Sequence, residues 1–162
     1  MKTKLVLVIA LFCVCMISGC YRYARLYPIQ GPLASQTPSP IFTAKITGAF
    51  NSGNLSVILA NGETFTGPWK ALSVKTRAQN AASSTPEQVS LASAWDTVYG
   101  QGFYTAHVLG TRLFAQAVLT GNQGTVLQVE MYRQEHGADS SAPLDIKGVA
   151  KDSKGNIYKL AL

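Results

Sequence analysis

The chain has 162 residues, with 14 lysines and arginines against eight aspartates and glutamates, and carries a formal net charge of +6. Only 14% of its residues are charged and 47% are hydrophobic, which excludes a disordered polyelectrolyte and leads us to expect one domain with its own core. The cations are scattered from Arg22 to Lys159 and never form a basic run interleaved with aromatics, so nucleic acid is not an expected partner.

Lys2 and Lys4 precede an unbroken apolar stretch from Leu5 to Ile17, followed by Ser18-Gly19-Cys20. A basic start, a short apolar run and small residues form the layout of a secretory signal, and the run is too short to cross a bilayer as a helix. Cys13 and Cys15 lie inside it, so removing residues 1–19 leaves Cys20 as the sole cysteine. A lone thiol in an oxidising compartment calls for a chemical explanation. The segment Ile17-Ser18-Gly19-Cys20 resembles the lipobox of bacterial lipoproteins, with Ile17 where leucine is preferred. The resemblance implies cleavage before Cys20 and lipidation of that cysteine. Tyr21, rather than Asp, follows it, which in this class implies delivery to the outer membrane. Attachment through more than one acyl chain is stable.

Without its leader the chain keeps 12 lysines and arginines, a net charge of +4. Residues 21–41 contain Pro28, Pro32, Pro38 and Pro40 and read as an extended tether. Such a tether could hold a domain roughly 60 Å from the lipid at about 3.1 Å per residue. Tyr21, Tyr23 and Tyr27, interleaved with Arg22 and Arg25, suit a headgroup layer. The expected organisation is a signal over 1–19, a lipidated N-terminus and tether over 20–41, and one β-rich domain over 42–162.

From Phe42 the apolar residues alternate: Phe42, Ala44, Ile46, Gly48 and Phe50. Three hairpin registers follow from the demand that apolar residues share a face, because a slip of one residue flips every side chain. A loop Ala60-Asn61-Gly62 pairs Val57 with Phe65. A loop Asn122-Gln123-Gly124 pairs Leu119 with Leu127 and Ala117 with Val129. A loop Ser153-Lys154-Gly155 pairs Ala150 with Tyr158 and Gly148 with Leu160. Gly62, Gly124 and Gly155 each take the left-handed place that such loops require. Between the first two hairpins, Thr85-Pro86-Glu87-Gln88 reads as a capping box. Leu91, Trp95, Val98 and Tyr99 continue it at helical spacing, and Gly100 and Gly102 end it. Tyr104 to Leu109 reads as a further short strand. The expected fold is mainly β, a small antiparallel barrel or sandwich of about seven or eight strands with one amphipathic helix over about 86–99.

Candidate chemistry is sparse. His107 falls in the short strand Tyr104–Leu109, and His136 beside Glu135 in a polar loop, with no third ligand at metal spacing. Gly-Asn-Gln-Gly at 121–124 joins two strands instead of opening a helix, so it does not read as a phosphate loop. No nucleophile elbow occurs, and Glu63 and Glu130 would form a carboxylate pair only if the fold brought them together. Trp69, Trp95 and His107 are the side chains that could line a ligand slot, with both tryptophans also suited to a core. No catalytic residue, cofactor or metal is assigned. The expected role is a non-enzymatic one, binding or structural, for an outer-membrane lipoprotein whose partner is an envelope protein or the cell wall. A cell-wall or lipid hydrolase built from distant residues, or a carrier of a small molecule or lipid, are the alternatives.

Overall fold

The computed structural model describes residues 21–49, 51–73, 86–109, 114–133 and 146–162. The leader, Cys20, Phe50, Thr85, Lys75 to Ser84 and the loop around His136 lie outside them. Eight strands run in chain order, each antiparallel to the next, and close into a barrel. They are β1 (Tyr21–Gln30), β2 (Phe42–Ala49), β3 (Ser52–Ile58), β4 (Thr64–Leu72), β5 (Phe114–Gly121), β6 (Val126–Arg133), β7 (Ile146–Asp152) and β8 (Ile157–Ala161). Helix α1 (Pro86–Tyr99) and a π-helical turn (Tyr104–Val108) fall between β4 and β5.

The three hairpin registers are those the apolar pattern demands. Val57 faces Phe65, Leu119 faces Leu127, and Ala150 faces Tyr158. Gly62, Gly124 and Gly155 have φ of 81°, 84° and 87°. The same pair of backbone bonds closes all three loops, as in Gly62 N to Leu59 O at 3.0 Å and Leu59 N to Glu63 O at 2.9 Å. Inward-facing side chains, among them Leu26, Phe42, Leu55, Val57, Phe65, Leu119, Leu127 and Leu160, form one buried cluster. Eight strands leave an interior just wide enough for side chains to fill. Burying each large apolar side chain stabilises the fold by roughly 1.5–3 kcal/mol.

The tether expected over residues 21–41 is corrected in its first half. Tyr21–Gln30 is a barrel strand, pairing with β2 on one side (Ala24 with Ala44) and with β8 on the other (Leu26 with Leu160). Ala24, Leu26 and Pro28 point inward, and Tyr23 and Arg25 outward. Physically, β2 to β8 alone would leave two open edges, and β1 satisfies both at once. Pro28 sits beyond the last β2 partner, Leu26, and at a register shift against β8, where a missing N–H is tolerated. The barrel therefore takes in Tyr21–Gln30 and does not begin at residue 42, and of the expected tether only residues 31–41 connect without regular structure.

Helix α1 packs outside the barrel. Leu91, Ala94 and Trp95 are buried against Tyr132, Val149 and Ile157, the outward residues of β6, β7 and β8. Tyr132, Val149 and Ile157 give these strands an apolar patch on the outside as well, beside Gln128, Lys147, Lys151 and Lys159, whereas β2 to β4 turn Thr43, Lys45, Asn54, Ser56 and Thr66 toward water. Polar residues outside and apolar ones inside are the reverse of a lipid-spanning barrel. The short strand expected at Tyr104–Leu109 is a π-helical turn instead. Gly100 and Gly102 take φ of 106° and 81° and reverse the chain, and the Asp96 carboxylate then accepts the Tyr104 N–H at 3.0 Å. The segment is thereby held on the end of α1, where Val108 and Tyr104 join the layer outside the sheet instead of pairing as a strand.

Candidate interaction surface

The chain enters and leaves the barrel at one end, and the three glycine loops lie at the other. Arg25 pairs with Ala161, so Tyr21 and the C-terminus share an end. At the loop end, the first residue of each returning segment points inward and is polar: Glu63, Thr125 and Asn156, all buried. They close the apolar interior with a polar layer, bonded chiefly through Asp152 and Asn156. Asp152 Oδ1 accepts the backbone N–H groups of Lys154 (2.9 Å) and Asn156 (2.8 Å), and its Oδ2 accepts Asn156 Nδ2 (2.8 Å) and the Tyr158 hydroxyl (2.7 Å). Asn156 Oδ1 in turn accepts Leu33 N from the β1–β2 connection at 2.9 Å.

Glu63 is fully buried, and Lys154 Nζ reaches its Oε2 at 2.9 Å. Its Oε1 faces Thr125, and neither that oxygen nor the buried Thr125 hydroxyl makes a hydrogen bond of good geometry among the described residues. Burial pushes the Glu63 carboxyl up, but contact with Thr125 and Lys154 outweighs it and holds the group below its usual value. The Tyr158 phenol is driven the other way, far above its usual value, by burial and by the Asp152 carboxylate.

The residues expected to line a slot do not form one. Trp69 packs against the barrel interior and donates Nε1–H to Thr47 O at 2.9 Å. A Cβ at Gly53 would collide with Thr47 O and stand 2.7 Å from that nitrogen, so glycine is required for the approach. Trp95 belongs to the outer layer, fully buried, and donates to Glu130 Oε2 at 2.7 Å. His107 is exposed on the π-helical turn and rests on Phe103 at 4.7 Å, and Phe103 also stacks on Trp95 at 6.1 Å. Glu63 and Glu130 do not meet, because one points into the barrel end and the other outward beneath α1.

Among the described side chains, every carboxylate is thus engaged inside the fold: Glu63, Glu130 and Asp152 are buried, and Asp96 binds Tyr104 N. Arg22, Arg25, Lys45, Lys70 and Arg133 are exposed. The asymmetry is greatest on β1 to β3, because residues 1–62 contain no Asp or Glu at all. There the outward row of β1 presents Tyr21 (57% exposed) and Tyr23 (59% exposed), packed edge to face at 5.4 Å. Lys45 Nζ lies 5.1 Å from the Tyr21 ring centre, and Tyr23 pairs with Lys45, Arg25 with Thr43 and Tyr27 with Lys159. The result is a continuous aromatic and cationic face directly after Cys20. Sequence reasoning singles out these tyrosines and arginines but places them on a tether. It misses the inward polar layer, although a signal for it is present: Glu63, Thr125 and Asn156 share the parity of the core residues that follow them.

No protein family, curated protein or solved structure matches this chain.

Proposed function

We propose that this protein is a lipid-anchored, non-enzymatic component of the bacterial envelope that binds an anionic envelope partner through the outside of its barrel. The observation that carries this reading is the division of charge, with the described carboxylates engaged inside and the cations outside. Among the described residues the exposed charges are cationic, and an excess of one sign raises the local concentration of oppositely charged partners and speeds encounter. The leader ending in Cys20 supports an outer-membrane address, with Tyr21 following the cysteine. Two further features favour a scaffold over a catalyst: Glu63, Glu130 and Asp152 are committed to holding the fold, and closure leaves no strand edge for a peptide to extend.

The test is site-specific photocrosslinking of the anchored protein in its own envelope, with the reactive group placed at Thr43 or Ser56. Adducts that disappear at high ionic strength are expected. Absence of any adduct, together with hydrolysis of envelope polymers that is lost in Glu130→Gln, would overturn the reading in favour of an enzyme.

A further inference from the structure

We infer that the outward face of β1 and β2 docks the barrel sideways onto the anionic headgroups of the same membrane that holds Cys20. The inference rests on the anchor proposed above and deepens it, by naming the lipid surface as the partner.

Four observations lead to it. Strand β1 begins at Tyr21, the residue after the cysteine, so no spacer separates the barrel wall from the anchor point. Tyr21 and Tyr23 are the first two outward residues, more than half exposed and packed edge to face on each other. Amphipathic rings of this kind rest at the level of the headgroups. Arg25 and Lys45 flank them, and among the described residues neither cation pairs with a carboxylate. The far side of the barrel differs: β5 turns Gln116, Val118 and Thr120 outward and carries no charge. A short anchor, a ring pair and unopposed cations on one wall fit a negatively charged plane. A basic residue near such a surface contributes about 1 kcal/mol, within a Debye length.

The experiment uses the lipidated protein reconstituted into vesicles of phosphatidylglycerol and phosphatidylethanolamine, with a nitroxide introduced through Thr43→Cys or Thr120→Cys. Both positions are exposed, and β5 lies four strands from β1 in either direction around the barrel. Collision with a water-soluble nickel chelate should fall several-fold at position 43 on anionic vesicles, recover in high salt or on neutral vesicles, and stay unchanged at position 120. In Arg25→Gln and Lys45→Gln the ratio of docked to undocked protein should fall about fivefold for each charge removed, whereas Lys70→Gln should leave it unchanged.

Equal accessibility at positions 43 and 120 on anionic vesicles would overturn the docking while leaving the anchor and other envelope partners intact. The parent chain supplies the control on the anchor. If Cys20 carries lipid, the parent takes up no thiol label. Stoichiometric labelling of the parent would overturn the anchor and the docking together.

Discussion

Glu63 shows how one buried carboxylate can set the acid limit of the fold. Its carboxyl is held below the ordinary value near 4.3, so it adds stability that is complete above that value and is lost as pH falls through the lowered one. Urea midpoints should therefore drop on the acid side of about pH 4 in the parent, and the drop should be shallower in Glu63→Gln. Tyr158 acts at the opposite limit. Its raised phenol keeps its proton in the folded state after the unfolded chain ionises near pH 10, so stability is lost above that pH. Tyr158→Phe should be less stable at neutral pH, having lost the bond to Asp152, yet should show no such alkaline decline. The turn glycines give a purely conformational test. A Cβ at Gly62, Gly124 or Gly155 would meet nothing within 4 Å, so crowding contributes nothing to the cost. Replacement by valine should cost about 1–2 kcal/mol through positive φ alone, and Ser153→Val should cost less. Equal costs at Ser153 and Gly155 in urea titrations would mean that φ does not set the penalty.

At the scale of elements, α1 acts as a lid over the apolar patch that Tyr132, Val149 and Ile157 form outside β6, β7 and β8. Trp95→Ala should cost about 3–5 kcal/mol, because it empties the centre of that layer and removes one hydrogen bond to Glu130. Trp95→Phe should cost less, and the difference read from thermal unfolding separates ring packing from the indole bond. The hairpins are legible in the sequence because turn chemistry and alternation agree at Val57, Phe65, Leu119 and Leu127. The helix is legible from Leu91, Trp95 and Val98. Strand β1 is not, because four prolines in residues 21–41 speak for extended linker, and neither its period of two nor its closing role stands out without the partners β2 and β8. Tyr104 to Val108 misleads through its alternating composition, which cannot reveal that Asp96, eight residues earlier, binds its first N–H. Local pattern fails where long-range pairing or a remote cap decides the outcome. The same limit applies to the candidate surface. Tyr21, Tyr23 and Arg25 are visible as residues suited to headgroups, but their alignment with Lys45 depends on the β1–β2 register.

For the whole molecule, the corrected domain boundary changes what a protease should find. Limited digestion should not yield a stable fragment beginning near residue 42, since that would remove a wall of the barrel. Recovery of such a fragment in folded form would show that β1 is dispensable. Cys20→Ser should release the protein from membranes, because the described residues contain no helix long and apolar enough to cross one and β2 to β4 turn mainly polar residues outward. The order of strands also sets a timetable. A ribosome delivers β1 first, yet β1 completes its pairing only with β8, which ends one residue before the C-terminus. Throughout synthesis, and throughout any export that threads the N-terminus first, that strand waits with one flank open while every other neighbour is added in sequence. Pairing of this range is slow to form, and a waiting edge invites other chains. Arg25 and Pro28 stand along that flank, and charge and proline are the features that discourage edge-to-edge association. The Arg25 cation that faces the outside of the finished barrel would thus already have served its unfinished form, keeping the first strand unclaimed until the last one arrives.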